Sequence, residues 1–139
     1  MDFLLVQFLT GLAGASSLFL VASGLSIIFG VTRIVNFAHG AFYMMGAYVA
    51  YTLTERWSGA LGFWGGLLAA AIAVAAIGAL VEIVLLRRIY RAPELFQLLA
   101  TFGITLIVQD LAVLIWGPED LVGRRAPGFR SSVEILGQQ

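Results

Sequence analysis

The longest stretch without an ionisable side chain runs from Phe3 to Thr32, between Asp2 and Arg33. A helix needs about 20 apolar residues to cross a bilayer, so this stretch can span with tilt or extend beyond the hydrocarbon. No basic cluster precedes it, and it is much longer than the apolar core of a secretory signal peptide. We therefore expect a first membrane helix that the protein retains.

The overall composition is too apolar for a soluble domain. Of the 139 residues, 60% are hydrophobic and 12% are charged, whereas soluble domains carry about 45–50% apolar and about 25% charged residues. One core of this size cannot bury so much apolar surface, but membrane lipid solvates it directly. The sequence predicts an all-α membrane protein, a polytopic bundle of about four transmembrane helices.

Missing residue types exclude several functions. All eight basic residues are arginine, and without lysine the chain cannot form a standard P-loop for ATP. The absence of cysteine excludes thiol catalysis and thiolate metal sites, and a single histidine excludes a histidine cluster. With zero net charge and no basic face, we expect no nucleic-acid partner. No arrangement typical of an active site appears, so we expect neither an enzyme nor a cofactor.

Charged residues, Gly and Pro divide the chain into four apolar segments and a polar tail. The predicted spans are about 3–30, 34–54, 60–86 and 94–116, and residues 117–139 are predicted to form an extramembranous loop. This layout puts equal numbers of arginines on both sides, so the positive-inside rule leaves the orientation open. Within the third segment, Gly62, Gly66 and Ala70 are spaced as a helix-packing surface, which we favour over a dimer interface.

The start of the second segment contains the candidate substrate-pathway residues, which are Asn36, Phe37, His39 and Gly40. Asn36 suits an N-cap, and Gly40 permits close approach of another backbone. A helix that starts within the membrane directs free N–H groups and a positive dipole end at a substrate. The alternative is that Asn36 and His39 only tie helices together.

Other polar side chains lie inside the later segments. Asp110 lies well within the fourth segment. Its carboxylate either serves a transport pathway or a proton site, or it lies near the headgroups beside an arginine. Glu82 precedes Arg87 by about one turn, which favours an interfacial charge pair. We expect Gln97 and Gln109 to form hydrogen bonds between helices.

Three motifs follow one another at the start of the chain. They read Gly24-Leu25-Ser26-Ile27-Ile28-Phe29-Gly30-Val31, Ile34-Val35-Asn36-Phe37-Ala38-His39-Gly40 and Tyr43-Met44-Met45-Gly46-Ala47-Tyr48. In this order and spacing, the chain resembles the ABC importer permeases for branched-chain amino acids, of the Liv type. The resemblance continues through Arg87-Arg88, Leu99-Ala100-Thr101-Phe102-Gly103-Ile104, Gln109-Asp110 and Trp116-Gly117-Pro118-Glu119-Asp120.

The resemblance implies the N-terminal part of one transmembrane permease domain in the bacterial inner membrane. It places Arg33 and the loop from Arg87 to Arg91 in the cytoplasm. The implied partners are a second permease subunit, cytoplasmic ATPase subunits that hydrolyse ATP, and a periplasmic substrate-binding protein. Members of that family are longer chains, so the resemblance also implies that the segment that docks the ATPase lies outside this sequence.

Three other functions stay open. A related permease for urea or short amides would share most of these motifs. An ion-coupled secondary transporter or channel would use Asp110 and His39 and would need no ATPase. A purely structural membrane subunit would transport nothing.

Overall fold

The computed structural model describes residues 2–57, 59–123 and 126–127. Its helices are α1 (Asp2–Thr32), α2 (Ala38–Arg56), α3 (Gly59–Val81), α4 (Arg87–Ile89) and α5 (Glu94–Trp116), and a π-turn (Glu82–Leu86) joins α3 to α4. The described residues include no strand, and the predicted all-α class is confirmed. Most of the predicted loop over 117–139 lies outside the described residues.

Three helices, rather than the four predicted spans, are long and apolar enough to cross a membrane. They are Phe3–Thr32, Gly59–Ile89 and Glu94–Trp116. The second predicted span does form a helix, but α2 is too polar to meet that description, because it contains His39, Glu55 and several tyrosines and threonines. The predicted span count is therefore wrong by one.

The more polar α2 is the helix at the centre of the described bundle. It contacts α1, α3 and α5, and its contacts with α3 are the most extensive. Neighbouring helices rather than lipid therefore cover much of its surface, which permits polar side chains that a lipid-facing helix could not hold cheaply. By contrast, α1 is exposed along most of its length.

Small residues bring α2 and α3 close together. Gly66 and Ala70 are buried, and a β-carbon on Gly66 would lie 3.3 Å from the carbonyl carbon of Leu53. A β-carbon on Gly62 would lie 2.9 Å from the carbonyl carbon of Trp57, closer than ordinary van der Waals contact. The predicted helix-packing surface is confirmed, and it operates between two helices of the same chain.

The long helices alternate in direction. Arg33, Glu94 and Gln97 together line a small cavity of about 230 Å³, so the end of α1 lies beside the start of α5. At the opposite end, Trp116 Nε1 donates a hydrogen bond of 2.7 Å to Thr52 Oγ1. The arginines after α1 and around α4 therefore share one end of the bundle, as the predicted layout requires.

The buried apolar core lies where α2, the π-turn and α5 meet. Its members are Ala38, Ala41, Leu86, Ile104 and Val108. Two of the five are alanines on α2, and their small side chains let α2 approach its neighbours closely. This core lies at the arginine-bearing end, next to the candidate site.

Candidate functional site

Asn36 caps the start of α2. Its Oδ1 atom accepts a hydrogen bond of 3.0 Å from the backbone N–H of Ala38, and its carbonyl accepts one of 3.2 Å from the N–H of His39. Phe37 already has right-handed helical angles, although α2 is assigned from Ala38. The predicted capping role is confirmed, because Asn36 satisfies a donor that has no partner within the helix.

His39 links α2 to α1. Its Nε2 atom lies 3.2 Å from the carbonyl oxygen of Val21, and since a carbonyl only accepts, Nε2 carries the hydrogen in this contact. The imidazole also lies against Gly24, where a β-carbon would be 3.1 Å from its Cε1 atom. Close approach was expected at Gly40, but a β-carbon there would meet no described atom within 4 Å.

A cavity of about 460 Å³ lies beside this link, between α1, α2, the π-turn and α5. Most of its wall is apolar, with the residues Ile27, Ile28, Val31, Ile34, Phe42, Gly78, Leu86 and Ile89. The polar lining residues are Thr32, Asn36, His39, Glu82, Tyr90 and Thr101. A mostly apolar pocket with a few convergent polar groups is the usual form of a small-molecule site.

The π-turn positions the carboxylate of this cavity. Glu82 Oε1 pairs with Arg87 Nε at 3.1 Å and accepts a hydrogen bond of 3.0 Å from the Tyr90 hydroxyl. The Arg87 backbone N–H also donates to the carbonyl of Glu82, five residues earlier, so the π-turn brings these two residues together. The predicted charge pair is confirmed.

Tyr90 stays a hydrogen-bond donor in this arrangement. Burial raises the pKa of its hydroxyl above the ordinary value, and the hydrogen bond to Glu82 and the negative charge of Glu82 raise the pKa further. The phenol therefore keeps its proton at neutral pH and holds the Glu82 carboxylate at the cavity wall.

The connection between α4 and α5 is fixed by a buried amide. Gln97 donates hydrogen bonds through Nε2 to the carbonyls of Tyr90 (3.2 Å) and Ala92 (2.8 Å). Gln97 was expected to bond between helices, and it bonds instead to the turn that precedes its own helix. Gln109 is exposed on α5.

Comparison with known proteins identifies the family of this chain. A protein-family model described as "Branched-chain amino acid transport system / permease component" matches residues 7–135. The chain belongs to this permease family. With its apolar helices of membrane-crossing length, it is a protein of the bacterial inner membrane.

Curated relatives of this family member carry consistent names. The high-affinity branched-chain amino acid transport system permease protein LivH of Escherichia coli K12 is 27% identical over 125 residues, which cover 86% of this chain and 41% of LivH. The corresponding protein BraD of Pseudomonas aeruginosa is 30% identical over 116 residues, covering 79% of this chain and 38% of BraD. The chain thus spans about two fifths of the length of these relatives. No solved structure matches it.

The structure brings together only part of the predicted site of this permease-family chain. Asn36 and His39 line the cavity, whereas Phe37, Gly40 and Asp110 are exposed and absent from its lining. Asp110 lies nine residues after Thr101, which is about 13 Å along α5. A pathway role for all five predicted residues stays a prediction.

Sequence reasoning missed three polar residues of the cavity. Thr32, Tyr90 and Thr101 line it alongside Glu82, which was predicted only as a charge partner. Each has a local interaction too, and the Thr101 hydroxyl donates to the carbonyl of Gln97 at 3.0 Å. They come from different parts of the chain, namely α1, the turn after α4, and α5, so their convergence depends on how the helices pack.

A second cavity of about 420 Å³ lies on another face of α2, toward its far end. Its lining residues are Met44, Ala47, Tyr48, Tyr51, Asp120 and Leu121. The ring of Tyr48 stacks on Trp116 with centroids 5.2 Å apart, which fixes one wall. Among the described residues, no group of three or more His, Asp or Glu side chains could hold a metal ion.

Proposed function

We propose that this chain is the N-terminal part of the permease subunit of an ABC importer for branched-chain amino acids, with the 460 Å³ cavity on the substrate pathway. The observation that carries the proposal is the lining of that cavity. Apolar residues form most of its wall, and five of them are isoleucine or leucine, which suits an aliphatic side chain; polar groups complete the lining. The names of the family and of LivH and BraD support this substrate class.

The start of α2 adds a partial positive charge to the cavity wall. Asn36 and His39 both line it, so the first turn of α2 lies at its wall. The N-terminus of a helix carries a partial positive charge that favours an anionic group such as the substrate carboxylate. Asp110 stays a predicted pathway residue, which would act beyond the cavity along α5.

A complete transport cycle would require partner subunits. The chain would form the N-terminal part of one permease domain, and its arginine-bearing end, with Arg33 and Arg87, would face the cytoplasm. Separate cytoplasmic ATPase subunits would hydrolyse ATP, a second permease subunit would complete the pathway, and a periplasmic binding protein would deliver substrate. ATP binding would drive alternating access by favouring one conformation over the other.

The proposal is tested by filling the cavity without disturbing its polar groups. Gly78 lines the cavity, and a β-carbon there would meet no described atom within 4 Å. Gly78→Leu should therefore fold and insert normally in the complete transport system, but the added side chain should block leucine uptake. The assay is uptake of radiolabelled leucine, normalised to the amount of protein in the membrane.

Gly103→Leu is the matched control. Gly103 lies on α5, a β-carbon there also meets no described atom within 4 Å, and it does not line the cavity. Near wild-type uptake with Gly103→Leu and lost uptake with Gly78→Leu would support the proposal. Equal uptake by both variants would refute it, and uptake of urea or short amides in place of leucine would correct the substrate class.

A further inference from the structure

The cavity contains one carboxylate, and that carboxylate has an unused oxygen. Among the described lining residues, Glu82 is the one acidic side chain, and no arginine lines the cavity. Both of its described partners, Arg87 and Tyr90, bond to Oε1. A carboxylate has two oxygens with about four acceptor positions, and among the described contacts Oε2 has none.

The two partners of Glu82 leave room for a cationic ligand. The Glu82 side chain is 33% exposed and the Arg87 side chain is 63% exposed, so the charge pair lies at the rim and not in a closed core. An exposed pair of this kind contributes little to stability, since solvent screens it and fixing a long arginine side chain costs conformational entropy. Arg87 would therefore oppose the binding of a second cation to Oε2 only weakly.

We propose that Glu82 is a specificity-determining residue that binds the ammonium group of a zwitterionic aliphatic amino acid through Oε2. This inference rests on the proposed function and names the part of the substrate that the cavity recognises. The apolar wall takes the aliphatic side chain, and Glu82 takes the ammonium group. Neutral urea and short amides, and aliphatic carboxylates without an ammonium group, would leave the carboxylate without its ligand.

The π-turn accounts for the contact between Glu82 and Arg87. In an ordinary α-helix, residues five apart point in different directions, and Arg87 would not reach Glu82. The π-turn brings Arg87 to Oε1 on one side, and Tyr90 donates to the same atom. Both partners therefore occupy Oε1, and Oε2 is the oxygen that remains for a ligand.

The test is direct binding of radiolabelled leucine to the complete permease, purified with its partner subunits but without the binding protein. Glu82→Gln keeps the shape of the side chain and removes its charge. A hydrogen bond to a charged group is worth about tenfold to a hundredfold in affinity, so the leucine Kd should rise by that factor. Arg87→Gln should leave the Kd within about threefold of wild type, since the carboxylate remains.

Arg87→Gln separates ligand binding from a structural role. If Glu82 serves only to hold Arg87, both variants break the same pair and should weaken leucine binding equally, and that result would overturn the inference. Glu94→Gln is the control for loss of a negative charge near this end of the bundle, because Glu94 does not line the cavity. It should bind leucine as wild type does.

Competition on the wild-type protein tests the inference without any variant. 3-Methylbutylamine keeps the ammonium group and the aliphatic chain of leucine, whereas 4-methylpentanoate keeps the carboxylate and lacks the ammonium group. Displacement of leucine by the amine but not by the acid would support the role of Glu82. Equal displacement by the acid would overturn it while leaving leucine import intact, and failure of the wild-type system to import leucine would overturn the proposed function as well.

Discussion

Gly62→Ala should destabilise the bundle, because the new methyl group collides with backbone atoms. A β-carbon on Gly62 would lie 2.9 Å from both the carbonyl carbon and the carbonyl oxygen of Trp57, so α2 and α3 must move apart. Overpacking of this kind costs about 1–3 kcal/mol. Alanine is also the better helix former, by about 1 kcal/mol, so a matched control is needed to isolate the collision.

Gly65→Ala supplies that control on the same helix. A β-carbon on Gly65 would lie 3.9 Å from the nearest atom of the Trp57 ring, which is ordinary contact. Both variants gain the same helix propensity, so Gly62→Ala should be less stable than Gly65→Ala by about 1–3 kcal/mol. The assay is unfolding of the purified protein in detergent, followed by circular dichroism. Equal stability of the two variants would refute the close approach of α3 to Trp57.

Four further predictions concern individual polar side chains and one hydrogen-bonded pair. Asn36→Ala should lower the unfolding free energy by about 1 kcal/mol through loss of the cap, whereas Asn36→Asp should not. Asn36→Ala and His39→Ala should both impair leucine uptake while membrane insertion stays normal. Normal uptake by both variants would leave the two residues with a structural role only. Trp116→Phe and Thr52→Val should each lower the unfolding free energy by about 0.5–1.5 kcal/mol. Both variants remove the same hydrogen bond, so the loss of that bond should be counted once, not twice, in the double variant. Asp110→Asn should slow uptake without weakening leucine binding, because Asp110 does not line the cavity; weaker binding would place it at the site.

Much of the helical layout could be predicted because charge breaks and proline mark it directly. The predicted bounds 94–116 agree with α5, which follows Pro93 and ends at Trp116, just before Gly117 with φ of 84°. Gly117 allows this left-handed backbone at no steric cost. The capping role of Asn36 is also a local feature, which its residue type and its place before α2 indicate. The charge pair of Glu82 with Arg87 was predicted as well, but the five-residue separation is closed by the π-turn and not by ordinary α-helical spacing.

The parts that could not be predicted depend on contacts between distant residues. Hydrophobicity along the chain does not show that α2 lies among other helices, so the sequence predicts a fourth span where the structure has a more polar helix that its neighbours cover. The close approach at Gly24 depends on the imidazole of His39, and nothing near Gly24 in sequence indicates it. The contact between Glu82 and Arg87 likewise depends on the π-turn, whose hydrogen bond spans five residues where that of an α-helix spans four.

The measurement that tests the central claim most directly is leucine uptake by cells that lack the gene, compared with cells complemented by its complete reading frame. ATP should be depleted in a parallel sample while the proton gradient is held. Import through an ABC system predicts that uptake is lost with the gene, restored by complementation and abolished by ATP depletion. Leucine uptake that is unchanged by loss of the gene, or that follows the proton gradient and ignores ATP, would contradict the account.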